Sequence, residues 1–290
     1  MDPGRIAALL TPFLESPPLD PSAAPAKPAV LTPRQLEQIS IYIDLLLRWN
    51  ARINLTAIRT PEEIVTRHFG ESLFAASHLL PCDAGTPCGA GSLAREDLSL
   101  STDPPHRNAP TNSPSLQTPT ETTPDRHHST DPSPQNANQT VTSPARHPMH
   151  PAGVVDLGSG AGFPGVPIKI WSPQTPVTLI ESNQKKVAFL REVIRALTLT
   201  AIDVFPRRAE DYPARSVPFL TLRAVEHFET VLPAAAHLLV PGATLALLIG
   251  QSQVPQAKTL LPTFQWRAPL TIPLSNSRVL LSAARNPSEQ

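Results

Sequence analysis

Val154-Val155-Asp156-Leu157-Gly158-Ser159-Gly160-Ala161-Gly162-Phe163-Pro164-Gly165 decides the fold. Apolar residues around one acid run into closely spaced glycines, the pattern of a buried parallel strand that ends in a loop against a ligand. Glycine there accepts positive φ and lets backbone N–H groups approach a bound molecule, and Pro164 suits the first turn of a following helix.

Downstream, strands and helices alternate. Strands are expected at 153–158, 177–182, 201–205, 218–222 and 243–249, and helices at 164–171, 184–197 and 225–239. In the second helix Val187, Leu190, Ile194 and Leu197 share one face. Residues 265–273 and 277–284 read as a terminal antiparallel pair. Such alternation predicts a Rossmann-like α/β domain: a mostly parallel sheet with helices on both faces, and a ligand outside the carboxyl ends of the strands.

Upstream the chain is helical. Residues 5–15 read as a short helix, followed by a proline-punctuated arm. Thr32-Pro33-Arg34-Gln35 supplies an N-cap, a proline at the first helical position and a capping-box partner, after which Leu36, Ile39, Ile43, Leu46 and Leu47 fall on one face of a helix of about four turns. Thr60-Pro61-Glu62-Glu63 opens a second helix that runs through His68 and Ser72 to Leu80, with Gly70 costing it about 1 kcal/mol against alanine. Between them, Trp49 to Thr56 reads as a connector whose Asn side chains either bond local backbone or face a ligand. Arg67 and His68 read as a solvated helix face ahead of the alternative, a site.

Prolines number 36 in 290 residues, and eleven of them lie between 83 and 150, where only Leu93, Leu98, Leu100, Leu116, Val141 and Met149 are large and apolar. So little apolar surface cannot offset the entropy of ordering, and 83–151 is expected to be a disordered insert. The expected division is an arm at 1–31, a helical region at 32–82, the insert, a main domain at 152–285 and a tail at 286–290. Cys82 and Cys88 lack the spacing of a zinc site, and the scattered histidines of the insert lack carboxylate or thiol partners, so no metal is expected. Lys plus Arg and Asp plus Glu both total 24; the insert holds seven acids and four bases, which leaves the rest at +3 and allows a modest basic face. The chain starts without a basic leader before an apolar run and has no span of about 18 apolar residues, so a soluble, cytoplasmic protein is expected, with a monomer as the simplest state.

Gly160-x-Gly162-x-x-Gly165 fits the dinucleotide pattern, with Glu181 at the end of the next strand to hold a ribose diol. Asp156, two residues before Gly158, favours S-adenosylmethionine over NAD, because a carboxylate suits a cationic cofactor and repels a pyrophosphate. Two plainer readings stay open: Asp156 as a cap on the loop and Glu181 as a solvated strand end.

Taken together, Trp49-Asn50, Asn54-Leu55-Thr56, Arg67-His68, the glycine loop with Phe163-Pro164-Gly165, and Glu181-Ser182 followed by Lys185-Lys186 and Phe189-Leu190 resemble the bacterial small-subunit (16S) ribosomal RNA guanine-N7 methyltransferases, the glucose-inhibited division protein B family. The resemblance covers about 31–82 and 152–285. It implies the class I methyltransferase fold, S-adenosylmethionine as cofactor, and 16S ribosomal RNA or the small ribosomal subunit as partner. Cofactor contacts carry over to Gly158, Phe163, Ala209, Glu210 and Arg223, to which the strand-end reading adds Glu181. No catalytic base is implied, since guanine N7 already has a free lone pair. The chain departs from the family at Ile249 (for Lys), Leu222 (for Ser), Glu71 (for Asp) and the insert. Loss of that lysine puts RNA affinity in question. A nicotinamide-dependent oxidoreductase and a non-catalytic RNA-binding module are the rival readings of the same loop.

Deleting 86–148 should leave methyl transfer and thermal stability almost unchanged, since each halving of a flexible loop changes closure entropy by only about 0.6 kcal/mol. A melting temperature lowered by more than about 5 °C would mean that the segment packs on the core.

Overall fold

A computed structural model of the chain describes residues 1–15, 30–80, 153–223 and 227–287. The expected insert, the stretch 16–29, both cysteines and the start of the helix expected from 225 lie outside the described residues.

Among the described residues the sheet has eight strands: β1 Val154–Leu157, β2 Val177–Ile180, β3 Ile202–Phe205, β4 Val217–Arg223, β5 Leu239–Gly250, β6 Gln265–Trp266, β7 Leu270–Thr271 and β8 Arg278–Ala284. Their order is β3-β2-β1-β4-β5-β8-β6, with β7 also on β8. The first five are mutually parallel, and β8 runs antiparallel to β5, β6 and β7. This is the Rossmann-like, mostly parallel α/β sheet expected from the alternation. The terminal pair is a correction in detail: β8 pairs with β5 as well, and the stretch expected as one strand from 265 to 273 is two short ones. β5 begins four residues before its expected start, because Pro241-Gly242 reads as a turn yet sits inside a strand whose register on β4 shifts between Val217 and Phe219.

Side chains alternate across β1. Val154 joins one core with Val177, Leu179 and Ile202, while Val155 and Leu157 join the other with Leu220, Leu222 and Leu245. The first core is covered by α1 Pro3–Leu14, α2 Pro33–Ile53, α5 Gly165–Trp171 and α6 Gln184–Ala196; the second by α7 Phe228–Leu238 and α8 Val254–Leu260. α6 turns Val187, Phe189, Leu190 and Val193 fully inward, whereas Ile194 is only half-buried. α8 had not been expected; Val254, Ala257 and Leu261 carry its buried stripe.

α2 forms as its cap dictates. Gln35 N donates to Thr32 Oγ1 at 3.3 Å and Thr32 N to Gln35 Oε1 at 2.8 Å. It runs further than expected, however, so that Trp49–Ile53 are helical and Asn54, in the left-handed region, ends it. The next expected helix is three pieces: α3 Pro61–Glu63, a π-helical stretch Ile64–Gly70, and α4 Glu71–Leu79.

α1 buries Ile6, Leu10 and Phe13, each worth about 1.5–3 kcal/mol. Phe13 lies flat against Gly70: a Cβ on Gly70 would stand 2.6 Å from Phe13 Cε2. The glycine that weakens the helix is therefore a packing requirement. Gly70→Ala should destabilise by on the order of 1–3 kcal/mol, reversing the usual helical preference for alanine. In a Phe13→Ala background that cost should vanish, which urea melts of the two single variants and the double variant would read. A cost for Gly70→Ala that is the same in both backgrounds would refute the contact as its cause.

Candidate functional site

The site grows from the end of β1. Gly158 N and Ser159 N both donate to Ile180 O, at 2.9 and 3.1 Å, which turns the chain over the end of β2. Gly158, Gly160 and Gly162 take φ of +70°, +57° and +87°. The glycines divide by purpose. A Cβ on Gly158 would meet nothing within 4 Å, and one on Gly160 only Gly158 O at 3.7 Å, so this side of the loop is open. A Cβ on Gly162 would strike Tyr42 Oη, and one on Gly165 would strike Leu179 and, at 2.8 Å, Asp156 Oδ2. Two glycines thus leave their side of the loop open and two serve packing, whereas the sequence had suggested ligand approach for all.

Asp156 shares the Val154 face of β1 and is fully buried beneath the loop. Its Oδ2 accepts from Gly165 N at 3.1 Å and its Oδ1 from Thr221 Oγ1 at 3.0 Å. Burial outweighs these bonds and raises its pKa to about 6. Of the two readings of this acid, the loop brace is the one that the geometry supports; strand alternation turns it under the loop.

Glu181, just past β2, is nearly buried, with Oε2 accepting from Gly160 N at 2.9 Å and Oε1 from Asn183 N at 2.8 Å. Each oxygen keeps a lone pair for a further donor. Ala209 and Glu210 lie on a 3-10 turn after β3, Ala209 half-buried and Glu210 exposed. Phe163 is buried, its ring stacked at 5.3 Å on Tyr42 and at 4.6 Å on His68, and edge-on to Phe69. Its side chain belongs to the core, and what it offers the open side of the loop is main chain. Tyr42 also donates its hydroxyl to Ala161 O.

Leu222 pairs with Leu157, so Arg223 at the end of β4 stands beside Gly158. Its guanidinium is engaged on every side. Nε and Nη2 donate to Glu71 Oε2 at 3.3 and 3.1 Å, Nη1 to His68 Nδ1 at 3.0 Å, and Nη2 to Arg67 O at 2.6 Å. Glu71, 1% exposed, also accepts from Arg67 Nε at 3.1 Å and Arg278 Nε at 3.0 Å. One buried carboxylate thus holds three guanidiniums.

His68 corrects the expected solvated face, as it is buried while Arg67 is half exposed. The π-helical stretch fits an extra residue into the turn, so a face counted at 3.6 residues per turn misplaces it. Burial first, then Arg223, Arg67 and Arg278, push its pKa down to about 3. The ring is neutral; because Nδ1 accepts from Arg223, the proton sits on Nε2, which donates to Thr56 Oγ1 at 2.8 Å. Asn50 does what the plainer connector reading expects: Nδ2 donates to Thr56 O at 2.9 Å, and Oδ1 accepts from Thr56 N at 2.9 Å.

Tyr42 and Arg278 were missed in the sequence, and Glu71 was noted only as a departure from the family, with no role. Tyr42 follows Ile39 by three and so lies on the α2 core face, and Glu71 follows Arg67 by four, but only the pairing of Gly250 with Arg278 brings the last to this edge. Among the described residues no group of three or more His, Cys, Asp or Glu could hold a metal, and no helix is long and apolar enough to cross a membrane.

His68 and Asp156 oppose each other in acid. Below 6.5 the unfolded chain binds a proton that folded His68 refuses down to about 3, so acidification removes stability. Folded Asp156 takes its proton at about 6 rather than 3.8, so acidification through that window adds stability. His68→Gln removes only the first effect. Between pH 6.5 and 4 its stability relative to wild type should rise by on the order of 2 kcal/mol in urea melts, and equal pH slopes would refute a neutral His68.

The family model for rRNA small subunit methyltransferase G matches residues 35–92 and 139–269. Ribosomal RNA small subunit methyltransferase G of Xanthomonas campestris pv. campestris (strain B100) is 31% identical over 211 residues, which is 72% of this chain and 66% of that protein. The protein of the same name from Xylella fastidiosa (strain 9a5c) is 30% identical over 210 residues, again 72% of this chain and 66% of the relative. This chain therefore spans just under two thirds of the relatives it matches. Among solved structures, ribosomal protein L11 methylase from Lactobacillus delbrueckii subsp. bulgaricus aligns with TM-score 0.41 and 15% identity over 47% of this chain and 71% of its own. With its family model matched over 35–92 and 139–269, more than half of its length, the chain belongs to the rRNA small subunit methyltransferase G family.

Proposed function

We propose that this protein methylates N7 of a guanine in 16S ribosomal RNA with S-adenosylmethionine as donor, acting as a cytoplasmic monomer on the RNA or the small subunit. The observation that carries the reading is the open side of Gly158 at the carboxyl edge of a parallel sheet, with the Glu181 carboxylate across the loop. A flat, backbone-lined opening beside an acid with lone pairs to spare fits the adenosyl part of that cofactor.

The cofactor supplies an electrophilic methyl carbon on a cationic sulfur. Glu181 accepts ribose hydroxyls, Gly158 and the main chain of Phe163 line the cofactor, and Ala209 with Glu210 flanks the adenine. Arg223, fixed by Glu71 and His68, closes the side next to β4. Guanine N7 would take that methyl through its own lone pair, so no group of the protein would have to remove a proton from the base. The protein's part is alignment, an effect worth up to roughly 7–11 kcal/mol. His68 is suited to holding rather than proton transfer, because both ring nitrogens are engaged. The helical region and main domain act as one catalytic body, and the segment 83–151 is an insert between them.

Incubation with labelled S-adenosylmethionine and small ribosomal subunits or their RNA should yield 7-methylguanosine in nucleoside mass spectrometry. Cofactor binding without that product favours a non-catalytic module, and binding of NAD but not S-adenosylhomocysteine favours the oxidoreductase. Gly158→Val should lower S-adenosylhomocysteine affinity at least tenfold. A Cβ there meets no protein atom, so the valine side chain would fill the open side, and φ of +70° adds about 1–2 kcal/mol of strain. Unchanged affinity would remove Gly158 from the site.

A further inference from the structure

The resemblance places a lysine where this chain has Ile249, and Ile249 is buried, so a cation expected at the carboxyl edge of β5 is missing. The antiparallel register supplies another. Arg278 opens β8 opposite Gly250, at the same edge, and its Nε is held by Glu71 at 3.0 Å. Arg67 reaches the same carboxylate from the π-helical stretch, again through Nε, at 3.1 Å. Both guanidiniums are gripped from behind. Among the described residues neither Nη of Arg67 makes a hydrogen bond, and of Arg278 only Nη2 does, to Leu248 O at 3.3 Å. Their side chains are 50% and 18% exposed, against 9% for Arg223. With His68 neutral, three guanidiniums around one carboxylate leave a local charge of +2 next to the glycine loop.

We propose that Arg67 and Arg278 form a two-pronged site for one phosphodiester of the RNA substrate, with Glu71 as the brace that aims both. Guanidiniums held at Nε keep Nη groups without a bond among the described residues, both on Arg67 and Nη1 on Arg278, for pairing with a phosphate's two non-bridging oxygens. Glu71 also keeps the excess charge from pushing the arginines apart before RNA arrives. The site rests on the rRNA reading above and adds to it a phosphate contact that replaces the lysine absent at 249.

The test is equilibrium binding of deproteinised 16S rRNA to the S-adenosylhomocysteine-loaded protein across a salt series, beside turnover on small subunits. Arg67→Gln and Arg278→Gln should each weaken RNA binding and raise the KM for subunits at least fivefold. Each should reduce the slope of log affinity against log salt by about 0.7–0.9 while S-adenosylhomocysteine affinity stays within twofold. Arg67→Lys should restore the salt slope, because the charge is kept, but only part of the binding, because the planar fork and its grip on Glu71 are lost. Should Arg278→Gln fail to fold, the half-exposed Arg67 carries the test alone. An equal loss of S-adenosylhomocysteine affinity would assign the cations to the cofactor's carboxylate and overturn the proposal, as would variants that bind RNA like wild type. Wild-type protein that neither binds nor methylates the RNA would instead overturn the rRNA reading itself.

Discussion

The Glu71 carboxylate is the interaction on which the rest depends. Burying an ion costs several kcal/mol, and it is offset here because the carboxylate receives four N–H bonds from three guanidiniums at 3.0–3.3 Å. Those guanidiniums arrive from the π-helical stretch, from β4 and from β8, so one side chain joins the helical cover to two strands of the sheet. Without it, three arginines would crowd one edge with nothing between them. The neutrality of His68 follows first from its burial and then from the same cluster: a positive ring would stand beside Arg223, so the ring takes the tautomer that accepts.

From His68 the constraint passes to the loop. The imidazole stacks on Phe163, Phe163 stacks on Tyr42, and Tyr42 bonds Ala161 O, so the glycine loop is held from above by rings. From below it is held by Asp156, which receives Gly165 N and the Thr221 hydroxyl. A loop pinned on two sides can leave its third side open without collapsing, and that side carries Gly158 and Gly160. Rigidity of this kind is what an alignment mechanism needs, since the entropy of fixing the loop is lost on folding and not at the moment of binding.

Much of the fold was legible because its signals are local. The Thr32–Gln35 box, the period of α6 and the strand-to-glycine transition at 157–158 each depend on residues within a few positions of one another. What was not legible depends on pairing at a distance or on a departure from regular geometry. The π-helical stretch moved His68 from an expected solvent face to the interior. Strand alternation, readable in principle at Val154 and Val155, would have turned Asp156 under the loop; the charge argument that pointed it at a ligand ignored which face it occupies. Arg278 carries no local sign of function, and only the β5–β8 register brings it to Gly250.

The first helix shows how support for the site extends past the matched family region, which begins at residue 35. Phe13 sits where a side chain at position 70 would otherwise be, and Gly70 closes the π-helical stretch whose fifth residue is His68. A π-helix is intrinsically less stable than an α-helix and persists where its surroundings over-determine it. Here the surroundings are Phe13 packed at Gly70 on one side, and Glu71 with its arginines on the other. The helix outside the match therefore acts on the site without touching it, by holding in place the irregular turn that turns His68 inward onto Phe163 and Arg223.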